Sequence, residues 1–235
     1  MSENKLRLAA TAVLLRDTDQ GLETLLLRRN AKLAFAGGAW VFPGGAIDQP
    51  ELEIASSEMQ AARNAAVREA QEECGLLVDA DNLVHFCNWT TPEGESRRFA
   101  TWFFVAKAQQ RSADVVIDQG EIHEFQWITP QCALDLHGRG ELNLMPPTFL
   151  SMRLIQHYRT VAEALQKLAL REPYEVTPRL CMDQGRMFCL YPGDAAYESL
   201  DPEQDGPRHR TLFSSNGTDY IHSGEDVAVP PMDRP

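Results

Sequence analysis

Sulfur chemistry is thin in this chain. Five cysteines (Cys74, Cys87, Cys132, Cys181 and Cys189) are spread over 235 residues. The count is odd and no pair has metal-type spacing, which argues against a disulfide framework or a cysteine metal knuckle. Reduced thiols in a cytoplasmic protein are expected. Long hydrophobic runs are lacking too. No apolar stretch approaches the roughly 20 residues of a membrane-spanning helix, so no membrane partner is expected. The N-terminal MSENKLRLAATAVLLR alternates instead of forming a signal-peptide core. The final Met-Asp-Arg-Pro matches no retention or peroxisomal address. Positive charge is scarce: 22 Lys and Arg stand against 34 Asp and Glu, a formal net charge of −12. That balance disfavours long nucleic acids as partners, while leaving room for one small anion gathered by local cations. There is no internal repeat and no low-complexity tract. Hydrophobic residues, at 43%, suffice for a full core.

Alternating apolar residues make strands of Leu8 to Leu15 and Glu23 to Arg29, joined by a polar turn from Asp17 to Gly21. Ala39 to Phe42 is a short strand that runs into Pro43-Gly44-Gly45, where the diglycine is expected to turn sharply and to approach a ligand closely. Residues 46 to 56 read as a polar loop. Ser57-Glu58-Met59-Gln60 fits a capping box opening a helix that runs to Cys74, with Gly75 as its stop. Met59, Ala62, Ala66, Val67, Ala70 and Cys74 supply its buried side. Further strands are expected over Leu83 to Trp89, Phe99 to Ala106 and Phe125 to Ile128, with a helix from Thr129-Pro130 to about Leu136. Strands interleaved with helices indicate an α/β layered fold.

Beyond Pro146-Pro147 the pattern changes. Thr148 to Leu170 reads as one long amphipathic helix, followed by strand signals from Leu180 to Tyr191 and a hairpin turning at Asn216-Gly217. Residues 1–145 are expected to form the main domain, 146–223 an extension packed on it, and 224–235 a flexible tail.

The chemistry concentrates in Arg68-Glu69-Ala70-Gln71-Glu72-Glu73-Cys74-Gly75-Leu76. Glu69, Glu72 and Glu73 at i, i+3 and i+4 share one helix face. Three carboxylates so close repel one another unless a cation joins them, and an all-oxygen donor set suits Mg²⁺ or Mn²⁺. Cys74, inside this run, is expected to pack and not to act as a nucleophile. The four tryptophans read as core residues. Arg208-His209-Arg210 and Arg97-Arg98 read as either solvated basic turns or phosphate contacts.

This run closely resembles the Nudix box, G-x5-E-x7-R-E-U-x-E-E-x-G-U, where U is a bulky aliphatic residue. Arg68, Glu69, Glu72, Glu73, Gly75 and Leu76 match it. Gly45 stands 23 residues before Arg68, where the pattern has 14, which implies a nine-residue insertion. The pattern's first Glu falls at Gln60, and its U at Ala70. The resemblance implies a Nudix-type α/β/α sandwich with a mixed sheet, here with a C-terminal helix-and-hairpin extension. It implies metal-dependent hydrolysis of a diphosphate, with Glu69, Glu72 and Glu73 as Mg²⁺ or Mn²⁺ ligands and the Gly45 (or Gly44) backbone completing the shell. Arg68 would hold a neighbouring carboxylate. Glu121 or Glu124 would serve as general base or further ligand.

Leu25 to Gly45 also resembles a motif of coenzyme A-type Nudix hydrolases, L-L-T-x-R-[SA]-x3-R-x3-G-x3-F-P-G-G. Leu25, Leu26, Arg29, Gly38, Phe42, Pro43, Gly44 and Gly45 coincide, while Leu27, Asn30 and Ala34 depart. This implies substrate contacts from Arg29, Gly38, Phe42, Gly44 and Gly45; Arg98, of the Arg97-Arg98 pair, is a further candidate for a substrate phosphate. The implied substrate is coenzyme A or an acyl-CoA. The alternatives are ADP-ribose or another nucleoside diphosphate derivative, or a Nudix-fold binding protein without catalysis. A homodimer is compatible with the sequence.

Overall fold

A computed structural model of the chain describes residues 6–33, 36–109, 115–117, 120–214, 217–224, 227 and 229–235. Ala34 and Asn216 lie outside the described residues. Alternation along the N-terminal segments builds β1 (Arg7–Thr18) and β2 (Gly21–Arg29), an antiparallel hairpin. Successive residues point to opposite faces. Ala10, Ala12, Leu14, Leu25 and Leu27 line one face, and Val13, Leu15, Leu22 and Leu26 the other.

Around this hairpin an eight-stranded mixed sheet assembles. Its members are β3 (Trp40–Val41), β4 (Gly44–Ala46), β5 (Val84–Thr90), β6 (Phe99–Lys107), β7 (Ile122–Ile128) and β8 (Tyr174–Val176). The order is β3-β2-β1-β6-β5-β8, with β4 paired to β1 and β7 to β2. The pairs β1·β6 and β5·β8 are parallel and the rest antiparallel.

One face of the sheet is covered by α1 (Gln49–Ile54) and α2 (Glu58–Cys74). Ala61, Ala62, Ala65, Ala66 and Ala70 are fully buried there, and their small side chains let α2 lie close to the strands. Met59 and Val67 flank this contact, partly buried. The opposite face carries α3 (Pro130–Gly138), α4 (Pro146–Ile155) and α5 (Val161–Ala169). A second antiparallel sheet packs there too: β9 (Arg179–Asp183), β10 (Arg186–Leu190), β11 (Arg208–Ser214) and β12 (Gly217–Ser223), in the order β12-β11-β10-β9. Cys189, Tyr191 and Met232 belong to the same core as Val13, Phe86 and Leu150. Residues beyond 146 therefore share the main core, and β8 extends the main sheet. No helix among the described residues is long and apolar enough to cross a membrane.

Four expectations need correction. The diglycine does not turn: Gly44 and Gly45 form β4 and pair with Thr11 and Ala10. The segment read as a loop contains α1, where Asp48 donates its N–H to Glu51 Oε2 at 2.8 Å and proline sits at a tolerated first-turn position. The long helix from 148 to 170 is two helices. Thr160 caps α5 through Oγ1, which accepts from the Glu163 N–H at 3.2 Å, and Asp17 of β1 accepts the Val161 N–H at 2.8 Å. A continuous amphipathic pattern conceals such a break because both halves bury their apolar sides against one sheet. Finally, residues 231–234 are docked, not free. Met232 is fully buried, its N–H meets the Tyr220 hydroxyl at 3.0 Å, and Asp233 pairs with Arg153 at 2.8 Å.

Candidate active site

The acidic helix begins and ends where local chemistry dictates. Ser57 Oγ accepts the Gln60 N–H at 3.2 Å, and Gly75 adopts φ 72°, the left-handed conformation that closes a helix. The Gln60 side chain does not complete the capping box; its amide donates to Asn64 at 3.0 Å. Cys74 is fully buried, with its thiol donating to Ala70 O at 2.9 Å. Burial pushes that thiol up to about 12, so it is inert at neutral pH.

The face that carries the carboxylates is turned towards β4. Glu73 is only 7% exposed, and its Oε2 accepts the Gly44 N–H at 2.9 Å. Burial raises its carboxyl to about 8, against the Gly44 hydrogen bond and Arg29, which act to lower it; the charge of Glu69 adds to the rise. Glu69 is raised as well, chiefly by burial and against its pairing with Arg68. A Cβ on Gly45 would lie 2.2 Å from Glu69 Oε1, and one on Gly44 would lie 2.6 Å from Ala10 O. Gly44 is therefore required by the close approach of a strand, whereas a side chain at Gly45 would have to displace the Glu69 carboxylate.

Arg68 organises the remaining charge. Its Nη1 donates to Glu69 Oε1 at 2.8 Å and Glu72 Oε2 at 3.0 Å. Its Nε and Nη2 reach the two oxygens of Glu51 at 3.0 and 3.1 Å, and Nη2 also meets Ala46 O at 3.0 Å. Together these partners hold the guanidinium firmly in its charged form. Glu51 was not anticipated as a site residue. Counted forward from Gly45, the spacing G-x5-E falls on Glu51, and that was the signal available for it.

The other candidates separate. Arg29 points to the α2 side of the sheet, as do Leu25 and Leu27, and pairs with Glu121 at 3.2 Å. Both act electrostatically on Glu73. Glu124 pairs with Arg28 at 3.2 Å, and strand alternation puts that pair on the opposite face, with Leu26. Phe42 is buried in the core on that opposite side, so its side chain offers no surface to a ligand. Gly38, at φ 78°, shapes the approach to β3. Arg98 spends its Nε on Thr91 O at 3.3 Å.

The triplet Arg208-His209-Arg210 is neither a solvated turn nor a phosphate clamp: it lies in β11. Arg210 is locked to Asp194 through contacts of 2.5 and 2.7 Å, and His209 is fully buried. Trp40 and Trp89 are core residues; Trp102 and Trp127 are half-buried.

A divalent cation fits the donor chemistry here. Glu73 is a nearly buried carboxyl with a backbone N–H as its hydrogen-bond partner, next to a second raised carboxyl, and such a pair is relieved by a hard cation. Among the described residues, however, no three acidic, His or Cys side chains converge on one point as they stand. Arg68 draws Glu69 and Glu72 to itself, so Glu72, which is 58% exposed, would have to leave it to join Glu73.

Several known proteins resemble this chain in sequence or in fold. The NUDIX domain family profile matches residues 5–146, more than half of the chain. A Caenorhabditis elegans protein provisionally named nudix hydrolase 7 is 24% identical over 261 residues, covering 89% of this chain and 85% of that protein. Acyl-coenzyme A diphosphatase NUDT19 of Xenopus laevis is 30% identical over 144 residues, covering 58% of this chain and 37% of that relative. The human protein of the same name is 30% identical over 121 residues, covering 49% and 32%. The matched region thus spans about a third of the length of those diphosphatases. Among solved structures, a NUDIX hydrolase from Alicyclobacillus acidocaldarius superposes with a TM-score of 0.64 at 22% identity, covering 73% of this chain and all of that one.

Proposed function

Since the chain belongs to the Nudix hydrolase family, we propose that it cleaves the diphosphate of coenzyme A or an acyl-CoA, giving 3′,5′-ADP and 4′-phosphopantetheine or its acyl form. The observation that carries this reading is a convergence. Arg29, Gly44 and Gly45 of the coenzyme A-type stretch gather around Glu73 and Glu69 of the box. The likeness to proteins named acyl-coenzyme A diphosphatase supports the same substrate class.

In this reading Glu69, Glu72 and Glu73 would hold Mg²⁺ or Mn²⁺, which when bound supplies charge neutralisation for the phosphoryl oxygens. The chain's own residues do the positioning. The Gly44 N–H fixes one oxygen of Glu73, and β4 shelters Glu69 from water. Arg29 adds positive charge on the face where an anionic substrate would lie. Hydrolysis joins a water oxygen to phosphorus and breaks the bond from that phosphorus to the bridging oxygen. The water proton goes to a base, for which Glu121, on the α2 side beside Arg29, is a better-placed candidate than Glu124.

The test compares coenzyme A, 3′-dephospho-CoA and ADP-ribose with Mg²⁺ or Mn²⁺, each with a chelator control. A charge-assisted contact to the 3′-phosphate contributes on the order of 1.5–3 kcal/mol, so coenzyme A should exceed 3′-dephospho-CoA about 10- to 100-fold in kcat/KM. Equal rates on the two remove recognition of that phosphate. A preference for ADP-ribose moves the substrate to another nucleoside diphosphate, a reading that Ala34, in place of the motif's second arginine, favours. Full turnover in excess chelator overturns the metal role.

A further inference from the structure

The second sheet ends in an open edge. β9 pairs with β10 on one side and is the last strand in the order β12-β11-β10-β9. Among the described residues its backbone bonds to no other strand or loop. We infer that this edge is a dimerisation surface. Its occupant is β9 of a second copy of this chain, paired antiparallel about a two-fold axis at Cys181.

The turn joining β9 to β10 decides which backbone groups face outward. Gln184 and Gly185 have positive φ, 47° and 76°, and Asp183 lies opposite Arg186. That is a two-residue hairpin turn, closed by hydrogen bonding between Asp183 and Arg186. Alternation then gives Cys181 and Arg179 to β10, and turns the N–H and C=O of Leu180 and Met182 outward. Their side chains share one face of the strand and are 37% and 67% exposed. An open edge with exposed apolar side chains is a template for another strand.

The edge sequence, Arg-Leu-Cys-Met-Asp, complements itself when reversed. With Cys181 opposite Cys181 of the second copy, each Leu180 faces the other copy's Met182. These are the residues whose backbone groups point outward, so they can exchange hydrogen bonds. Each Arg179 faces the other copy's Asp183, and opposite charges flank the apolar centre on both sides. Sliding the copies by two residues keeps the hydrogen bonds but parts the charges, so charge fixes the register.

Both charges retain capacity for this contact. Arg179 donates through Nη1 to Tyr197 O at 2.8 Å and to Glu198 at 3.0 and 3.1 Å. Asp183 accepts from Arg186 through Oδ2 at 2.9 Å. Arg179 Nε and Nη2 and Asp183 Oδ1 have no partner among the described residues. Five residues a side bury less than the roughly 1,200 Å² of a stable complex, so the dimer should be concentration-dependent. The second sheet packs on the face of the main sheet opposite α2, so association is read without reference to turnover.

Sedimentation of the full chain across the micromolar range should show the mass rising from one chain towards two. Arg179→Glu and Asp183→Arg each set like charges opposite one another, and each should raise the dissociation constant roughly 10-fold. An equal mixture of these two variants restores opposite charges at both pairs and should associate like the parent. That rescue separates a lost contact from a damaged fold. Met182→Lys, at an exposed side chain, should leave melting unchanged and abolish association. In Cys132→Ser, which removes the exposed thiol, oxidation by diamide should trap a dimer through Cys181. Opposed residues of a non-hydrogen-bonded pair have Cα atoms about 4.5 Å apart, within reach of a disulfide.

A single-chain mass at every concentration overturns the inference. So does a mixture that associates no better than its components, association that survives Met182→Lys, or an oxidised dimer linked only through other cysteines.

Discussion

Glu73 shows how one residue couples stability to function. Buried beside Glu69 and held by a single backbone N–H, its carboxyl titrates near 8 instead of its ordinary 4.5. Between those values the folded chain keeps a proton that the unfolded chain has lost. Stability contributed by this group is therefore full below about pH 4.5 and declines as pH rises towards about 8. In chelator, the denaturation midpoint of the parent protein should fall across that window. Glu73→Gln, which cannot ionise, should show a flatter profile and at least parent stability at the upper end. The same substitution should lower kcat at least about 100-fold with the fold intact. A steep profile in Glu73→Gln, or near-normal kcat, would remove Glu73 from both roles. Arg210 makes the opposite point: it is a cation wholly engaged in a buried pair with Asp194, so its charge is unavailable to any phosphate.

At the scale of elements, α2 was legible because its signals are local. Ser57 caps it, Gly75 ends it, and the apolar and acidic residues recur at helical spacing. The break between α4 and α5 was not legible, because it depends on a residue more than a hundred positions away. Asp17, in the β1 end of a hairpin, accepts the Val161 N–H, while Thr160 caps from within. Removing a cap of this kind costs about 1 kcal/mol. Asp17→Ala and Thr160→Ala should each lower unfolding free energy by about that amount in urea titrations. Parent stability in both would show that the break is set by packing alone.

Across the whole molecule, the C-terminal residues close the core that the extension shares with the main sheet. Met232 is fully buried, Asp233 pairs with Arg153, and Arg171 donates to the carbonyls of Pro231 and Arg234 at 2.8 and 2.7 Å. Burying one Met side chain contributes about 1.5–3 kcal/mol. Ending the chain at Ser223 should therefore cost at least about 2 kcal/mol and lower the melting temperature. A shortened chain with unchanged melting would mean that these contacts add nothing. The segment looked like a tail because it is polar and proline-rich, and composition does not record that a single methionine finds a socket beneath Tyr220.

The sequence by itself determined the α/β class, most strand positions, the acidic helix with its cap and stop, and the chemistry of its carboxylates. Each of these is set by neighbours a few residues apart, through alternation, helical periodicity or turn preference. Only the tertiary structure decided that Gly44 and Gly45 are a strand pressed against Glu69, that Phe42 is core, and that Glu124 faces away from the site while Glu121 faces Arg29. It also decided that Glu51 reaches Arg68. These depend on which faces of the sheet meet which helices, a matter of long-range packing that no short window of residues encodes.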